Sequence, residues 1–452
     1  MTTLARKLRV FDYFALGFGS MIGAGWLVVM DDWLGRGGPV GAMLAFALGG
    51  LLLLPIGYVY GRLVIAIPDA GTEIAYTARV FPPAVSFGTG WMMTLAYLVV
   101  CPWEAIAIGR LAGYVLPAMN THPLYSVAGQ AVYLPHLALG LALTALLTLV
   151  NVRGVRLSAS VQSWATGAVL VLFLVFGAFG AARGSAANFS PPFAAGGALV
   201  SVLLVLQIVP YFMSGFESIP KCVEEASPGA GERSLFRAIL IALAVGALFY
   251  VAVIAVVAFV SPWQALLGER FATAVAFERA FHARWIVDLI LTTAVISLLK
   301  VFNGNFIAAS RLLFAMGRSG LIDTRAGRVH PAYRTPSLAV AFVGLATAAG
   351  VFLGGAVLVP IAEVGSLAAV IGWLASCASY LAIGENGRRR AVAAAGVLVT
   401  LALLALKLLP VVPGHFTAWE WLALAAWAAL GLALWLLAGP AAARAAGGTG
   451  PS

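Results

Sequence analysis

Charge is what this sequence has least of. Only 10% of its 452 residues are Asp, Glu, Lys or Arg, where a soluble domain carries roughly a quarter, so the chain cannot cover a water-facing surface. Cysteine is sparse as well. Cys101, Cys222 and Cys377 lie far apart, show no CxxC or metal-ligand spacing, and read as ordinary buried thiols. Five scattered histidines form no zinc motif. There is no HExxH, no GxSxG and no carboxylate pair, which leaves an enzyme without a catalytic constellation. No apolar segment carries the repeated polar stripe that a channel lining needs. No metal, cofactor or catalytic residue is expected.

What the chain has is apolar length. Hydrophobic residues make up 62% of it, and its 50 glycines sit inside apolar runs, where membrane helices tolerate them. The stretch Met1 to Val10 is polar and basic and leads straight into a full apolar span, so the first helix is expected to be its own insertion signal rather than a cleaved one. The net charge of +10 does not imply nucleic acid, because the basic residues fall in short loops between apolar segments.

With about 20 apolar residues per span, helices are expected near 12–34, 40–66, 84–114, 133–151, 158–181 and 197–220. A second set follows near 235–260, 285–316, 337–355, 358–383, 391–409 and 418–438. The fold class is therefore an all-α polytopic membrane protein of twelve transmembrane helices. Sorting Lys and Arg by loop gives nineteen on the side of both termini and five on the other (Arg36, Arg183, Arg270, Arg279 and Arg284). Arg110, Lys300 and Lys407 remain at membrane depth. Both termini are expected to be cytoplasmic, in a plasma or inner membrane. The segment 262–283 mixes apolar and charged residues and reads as an amphipathic helix over the outer mouth, either a cap or an inert surface helix. The tail 439–452 reads as disordered.

The first span holds Gly17, Phe18, Gly19, Ser20, Met21, Ile22, Gly23, Ala24 and Gly25. Each glycine costs a helix roughly 1 kcal/mol against alanine. Counted from Asp12, Gly23 lies about 16 Å along, near the bilayer midplane. Taken alone, such glycines also serve close helix packing. A second interruption shifts the balance: Pro210, Tyr211, Phe212, Met213, Ser214, Gly215, Phe216 and Glu217 break the sixth span, with Ser214 about 22 Å from Leu199. The two spans enter from opposite sides and stand five apart. That pattern predicts inverted five-helix repeats over 12–182 and 197–383, with a binding site between the breaks and two further helices over 391–438.

Backbone electrostatics suggests the ligand. Free N–H groups at Gly23, Ala24 and Gly25 suit a carboxylate, while carbonyls near Ser20, Met21, Tyr211 and Ser214 suit an ammonium group. An amino acid presents both on one carbon. Ile22, Phe212, Phe216 and Asn303 complete the expected substrate-binding set.

Several motifs carry a family resemblance. GSMIGAG (Gly19 to Gly25) and MSGFES (Met213 to Ser218) resemble the helix-one and helix-six motifs of the amino acid–polyamine–organocation (APC) transporter superfamily. IPDAGTEIAYTARVF (Ile67 to Phe81), AASRLLFAMGRSG (Ala308 to Gly320) and HPAYRTPS (His330 to Ser337) are similar to its other segments, in the same order. The resemblance covers residue 10 to about 383. It implies an amino acid permease with a LeuT-like five-plus-five fold and alternating access, and places Tyr211 as an aromatic gate over the substrate.

By that resemblance, sodium-coupled proteins of this architecture hold a sodium ion between helices one and eight, and some proton-coupled or ion-independent relatives place a helix-five lysine there. Helix five of this chain (Ser158 to Gly167) has no lysine. Lys300, in helix eight with about 16 Å of helix on either side, is expected to substitute for the ion and to be able to carry a coupled proton. The alternative is a lysine satisfied by carbonyls or Asn303. Glu217 either bonds the broken backbone of helix one or two or pairs with Lys221. Glu104 either attracts a cationic substrate or pairs with Arg110. The expected function is secondary import or exchange of amino acids, proton-coupled or ion-independent. A polyamine or organic-amine permease, an obligate exchanger and a non-transporting membrane sensor are the alternatives.

Overall fold

The computed structural model describes residues 10–23, 25–154, 159–225, 232–384 and 387–438; expectations for residues 1–9, Ala24 and 439–452 fall outside the described residues. The first span is α1 (Val10–Met21), an interruption, and α2 (Gly25–Val28), running on into α3 (Met30–Ala66). Within α3 the chain turns at Gly38, whose φ of 61° and the ring of Pro39 end one span and begin the next. A Cβ at Gly38 would lie 2.8 Å from the Phe193 backbone. Only glycine lets the 190s loop dock there, where Val40 donates to Pro192 O at 3.0 Å.

The next elements are α4 (Glu73–Ala78), α5 (Pro83–Leu98), α6 (Val100–Val115), α7 (Leu134–Arg153) and α8 (Ala159–Arg183). Prolines begin α5 and α7, where a missing N–H costs nothing. Gly154, at φ 77°, caps α7 in the left-handed conformation. The sixth span is α9 (Gly197–Leu206) followed by α10 (Val209–Met213), with a 47° bend between them. Pro210 cannot donate back to Leu206, which removes one bond across that bend. Then come α11 (Glu232–Val260), α12 (Ala272–Phe281), α13 (Arg284–Arg318), α14 (Ser337–Val351), α15 (Leu358–Ala382), α16 (Arg388–Leu408) and α17 (Ala418–Ala438).

Among the described residues, nine helices are long and apolar enough to cross a bilayer, and the bent α9–α10 pair makes a tenth. Two shorter apolar helices, the interrupted first span and Ser337–Val351, complete the expected twelve. The outer faces of the spans leave Leu149, Leu174, Leu248, Leu345, Leu398 and Leu437 exposed, as a lipid-facing surface requires. The buried faces meet around Trp33, Phe46, Trp103, Phe216, Tyr250 and Trp373.

Two features add to the sequence reading. The segment between the expected third and fourth spans forms a hairpin, β1 (Pro123–Val127) with β2 (Gln130–Tyr133). Ala128 and Gly129 both have positive φ, which gives the two-residue turn that matches strand twist. Tyr125 pins this hairpin to Phe352 O at 2.5 Å. The amphipathic segment is present as α12, but it is tied inward: Thr273 donates to Trp26 O at 2.9 Å, and Phe277 stacks on Phe176 at 4.2 Å.

Candidate functional site at two broken helices

Helical bonding in the first span stops where Ile22 N–H closes on Phe18 O at 2.8 Å, and resumes where Val29 N–H closes on Gly25 O at 3.0 Å. Two carbonyls at this break are taken up by side chains of other spans. Tyr250 Oη donates to Met21 O at 3.0 Å, and Ser297 Oγ donates to Ile22 O at 3.3 Å. Unwound backbone inside a bilayer needs such partners.

In the sixth span, Ser214 is extended and Gly215 has φ 134°, a conformation reserved in practice for glycine. A Cβ at Gly215 would lie 2.7 Å from Met21 N and 2.9 Å from Ser20 C. The two breaks therefore touch, backbone to backbone. Glu217 steadies this arrangement, its Oε2 accepting from Gly215 N–H at 2.9 Å.

A small cavity of about 30 Å³ opens beside the contact. Its walls include Ser20, Met21, Gly23, Gly25, Glu104, Tyr211, Phe212 and Ser214, all of them expected from the sequence. Phe212 is wedged against Gly25, where a Cβ would fall 2.5 Å from its ring, and stands edge-on to Trp33 at 4.9 Å. Tyr211 packs on Gly365 of α15, and its buried hydroxyl has no hydrogen-bond partner among the described residues.

Glu104 is 3% exposed, with one carboxylate oxygen near Gly23 and the other without a partner among the described residues. It does not pair with Arg110, which lines a different cavity; the cation in its electrostatic reach is Lys300. Lys300 makes no hydrogen bond or ion pair among the described residues, and the Ile22 carbonyl is held by Ser297 instead. Asn303 points away, accepting from Asn151 Nδ2 at 3.0 Å, while Asn305 lines the cavity. The Ile22 side chain is fully buried outside the lining, and Phe216 packs between Tyr60 and Trp373.

Val100, Trp103, Tyr250 and Val301 line the cavity without having been expected there. Spacing could have found some of them: Val100, Trp103 and Glu104 share a face of α6, and Ser297, Val301 and Asn305 share a face of α13. Tyr250 carries no such signal within its apolar run.

Charged groups lie on either side of the cavity, buried on one side and partly buried on the other. Toward the Phe216 side, Lys221 Nζ stands 3.0 Å from both oxygens of Glu73, which also accepts from Tyr60 Oη at 3.0 Å. Lys221 pairs with Glu73 rather than the Glu217 carboxylate and also donates to Glu217 O at 3.3 Å. On the α2–α3 side, Arg36 bridges Asp32 at 2.9 Å and Glu363 at 2.7 Å, and Lys407 closes on the other Glu363 oxygen.

Paired broken helices inside a bundle of apolar spans define a polytopic membrane permease of LeuT-like architecture. The chain belongs to the amino acid permease family, whose model matches residues 8–435. A methylthioribose transporter of Bacillus subtilis (strain 168) is 28% identical over 379 residues, covering 81% of this chain and 79% of that protein. The branched-chain amino acid permease BcaP of the same organism is 27% identical over 379 residues, covering 81% and 77%. The chloroplastic cationic amino acid transporter 9 of Arabidopsis thaliana is 31% identical over 341 residues, covering 73% and 58%.

Proposed function

We propose that the chain is a secondary active transporter that imports or exchanges amino acids by alternating access, coupled to protons or to no ion rather than to sodium. Its support is the contact of the two breaks, with Gly215 against Ser20 and Met21 and the Glu104 carboxylate facing Gly23 in the same cavity. An α-carboxylate has N–H groups at Gly23 and Gly25, where helical bonding resumes toward α3. The ammonium has the carbonyl ends at Ser20, Met21, Tyr211 and Ser214, and the unpartnered oxygen of Glu104. Tyr211 closes over it as the aromatic gate, with Phe212 beside it.

Lys300, the cation in electrostatic reach of Glu104, is taken as its counter-charge. A proton gained or lost by this pair changes the charge facing the amine by one unit, which links proton movement to substrate binding. The same carboxylate favours a second reading, in which Glu104 takes the side-chain charge of a cationic amino acid or organic amine. Alternating access then uses the charged groups on either side, Glu73–Lys221 and Arg36–Glu363–Lys407, as the contacts that open in turn. The bias of basic residues supports cytoplasmic termini, with 12–182 and 197–383 as the inverted repeats.

Relatives are named for branched-chain amino acids, cationic amino acids and methylthioribose, so the site must discriminate. A thermal-unfolding screen of the purified protein against amino acids, amines and methylthioribose tests it. A ligand that binds the folded state raises the unfolding temperature by mass action. An amino acid or amine is expected to do so, with the response lost in Glu104→Gln. A response to methylthioribose alone would overturn the reading.

A further inference from the structure

A second cavity, of about 50 Å³, lies where the end of α6, the hairpin, the start of α7 and the loop before α12 converge. It shares no lining residue with the cavity at the breaks. Its polar lining is Arg110, Gln130, Tyr133, His136 and Arg270, and no carboxylate among the described residues lines it. Neither arginine has a hydrogen bond or ion pair among the described residues. The charge that bears most on Arg110 is that of Arg270, of the same sign; the acid in electrostatic reach is Asp31, at the start of α3.

The floor of this cavity is kept open by glycine. A Cβ at Gly355 would lie 3.0 Å from Gln130 Oε1 and 3.1 Å from Arg110 Cδ, so any side chain there would fill the space between the amide and the guanidinium. The hairpin forms the opposite wall and is held in place by the Tyr125 bond to Phe352 O. Two guanidiniums facing one concave, partly desolvated space repel each other, and the walls concentrate their field. A planar or tetrahedral oxyanion relieves that repulsion and matches the forked donors of arginine.

We propose that this cavity is a binding site for an oxyanion, a carboxylate or phosphate group, separate from the substrate site and independent of what that site carries. Arg110 and Arg270 supply the charge, while His136 N–H and the Gln130 amide, turned so that Nε2 rather than Oε1 faces the anion, supply further donors. Arg110 lies six residues beyond Glu104 on the same helix, about 9 Å of rise. An anion held there stands in the vestibule on the side of the hairpin and α12. The group comes either from a solute in the medium or from the headgroup of an anionic lipid.

The test uses the full chain in nanodiscs, read by thermal unfolding at matched ionic strength and without amino acids. In phosphatidylcholine discs, inorganic phosphate and propionate are titrated. In discs containing phosphatidylglycerol, no solute anion is added. The expected result is a saturable rise in unfolding temperature with phosphate or propionate, or a raised temperature in phosphatidylglycerol discs, the arm that responds naming the source. Arg110→Gln is expected to weaken the response roughly tenfold or more. Gly355→Val, which keeps both charges but fills the floor, is expected to weaken it as well. Arg110→Gln removes an unpaired charge, so its unfolding temperature without anion should equal or exceed that of the wild type. Arg270→Gln, on an exposed loop, gives a second variant that cannot disturb the core. The proposal is overturned if neither arm shifts the wild type, or if wild type and both arginine variants respond alike.

Discussion

Gly215 of the sixth span lies so close to Met21 of the first that a Cβ on the glycine would stand 2.7 Å from the methionine backbone nitrogen. Two polypeptide breaks in contact at this range leave no room for a side chain. The φ of 134° at Gly215 forbids one independently. Gly215→Ala is therefore expected to cost about 1–3 kcal/mol in backbone strain and a similar amount in forced separation of the breaks. Substrate uptake should fall to background, with a lowered unfolding temperature. Gly304→Ala is the matched control. The nearest atom to a Cβ there is Ser20 Oγ at 4.0 Å, so uptake should stay close to wild type.

Glu104→Gln keeps the shape of the cavity and removes its one carboxylate. A hydrogen bond to a charged group is worth about 1.5–3 kcal/mol, so KM for an amine-bearing substrate should rise by at least about tenfold. The unfolding temperature should change less than it does in Gly215→Ala. An unchanged KM would remove Glu104 from substrate recognition.

Glu363 is 6% exposed and holds two cations, Arg36 and Lys407. Breaking a buried pair on one side strands the other charge, at a cost of about 3–5 kcal/mol. Glu363→Gln should lower the unfolding temperature sharply. Glu363→Gln combined with Lys407→Met should recover part of the loss, because only Arg36, still paired with Asp32, then remains. A double variant no better than the single one would mean that Lys407 does not depend on Glu363.

Lys221 and Glu73 form the equivalent test on the other side of the cavity. Glu73 is fully buried, and its carboxylate is also bonded by Tyr60 and Thr72. Lys221→Met should destabilise the protein by about 3–5 kcal/mol. Adding Glu73→Gln should restore much of the stability. If these groups are a gate, the double variant should stay slow in transport although it folds, because the contact that closes that side is gone.

The sequence carried the framework of the protein because membrane spans announce themselves by length and composition, and because a glycine cluster or a proline inside an apolar run is a local signal. The first-span break around Gly23 and the sixth-span break at Ser214–Gly215 were both legible that way. The extra bend at Gln207–Ile208 was hidden, since only Pro210 hinted at it. Contacts that depend on helix rotation were not legible. Glu104 had Arg110 as its sequence neighbour, yet the cation in its electrostatic reach is Lys300 of α13. Asn303 and Asn305 differ by two residues and hence by more than half a turn, so only one can face the cavity. Lys221 sits one turn from Glu217 but reaches Glu73, 148 residues away, because α4 folds back beneath the sixth span. The hairpin escaped notice because its strands are only five and four residues long and lie between two strong apolar signals.

The central claim concerns an amino acid carried between the two breaks without sodium. Its most direct test is uptake into proteoliposomes of the amino acid identified by thermal shift, in sodium-free buffer, with a pH gradient imposed or with internal substrate preloaded. Accumulation driven by the pH gradient or by exchange is predicted for the wild type, with coupling lost in Lys300→Met and uptake lost in Gly215→Ala. Uptake that requires sodium, or saturable binding with no flux under either condition, would contradict it.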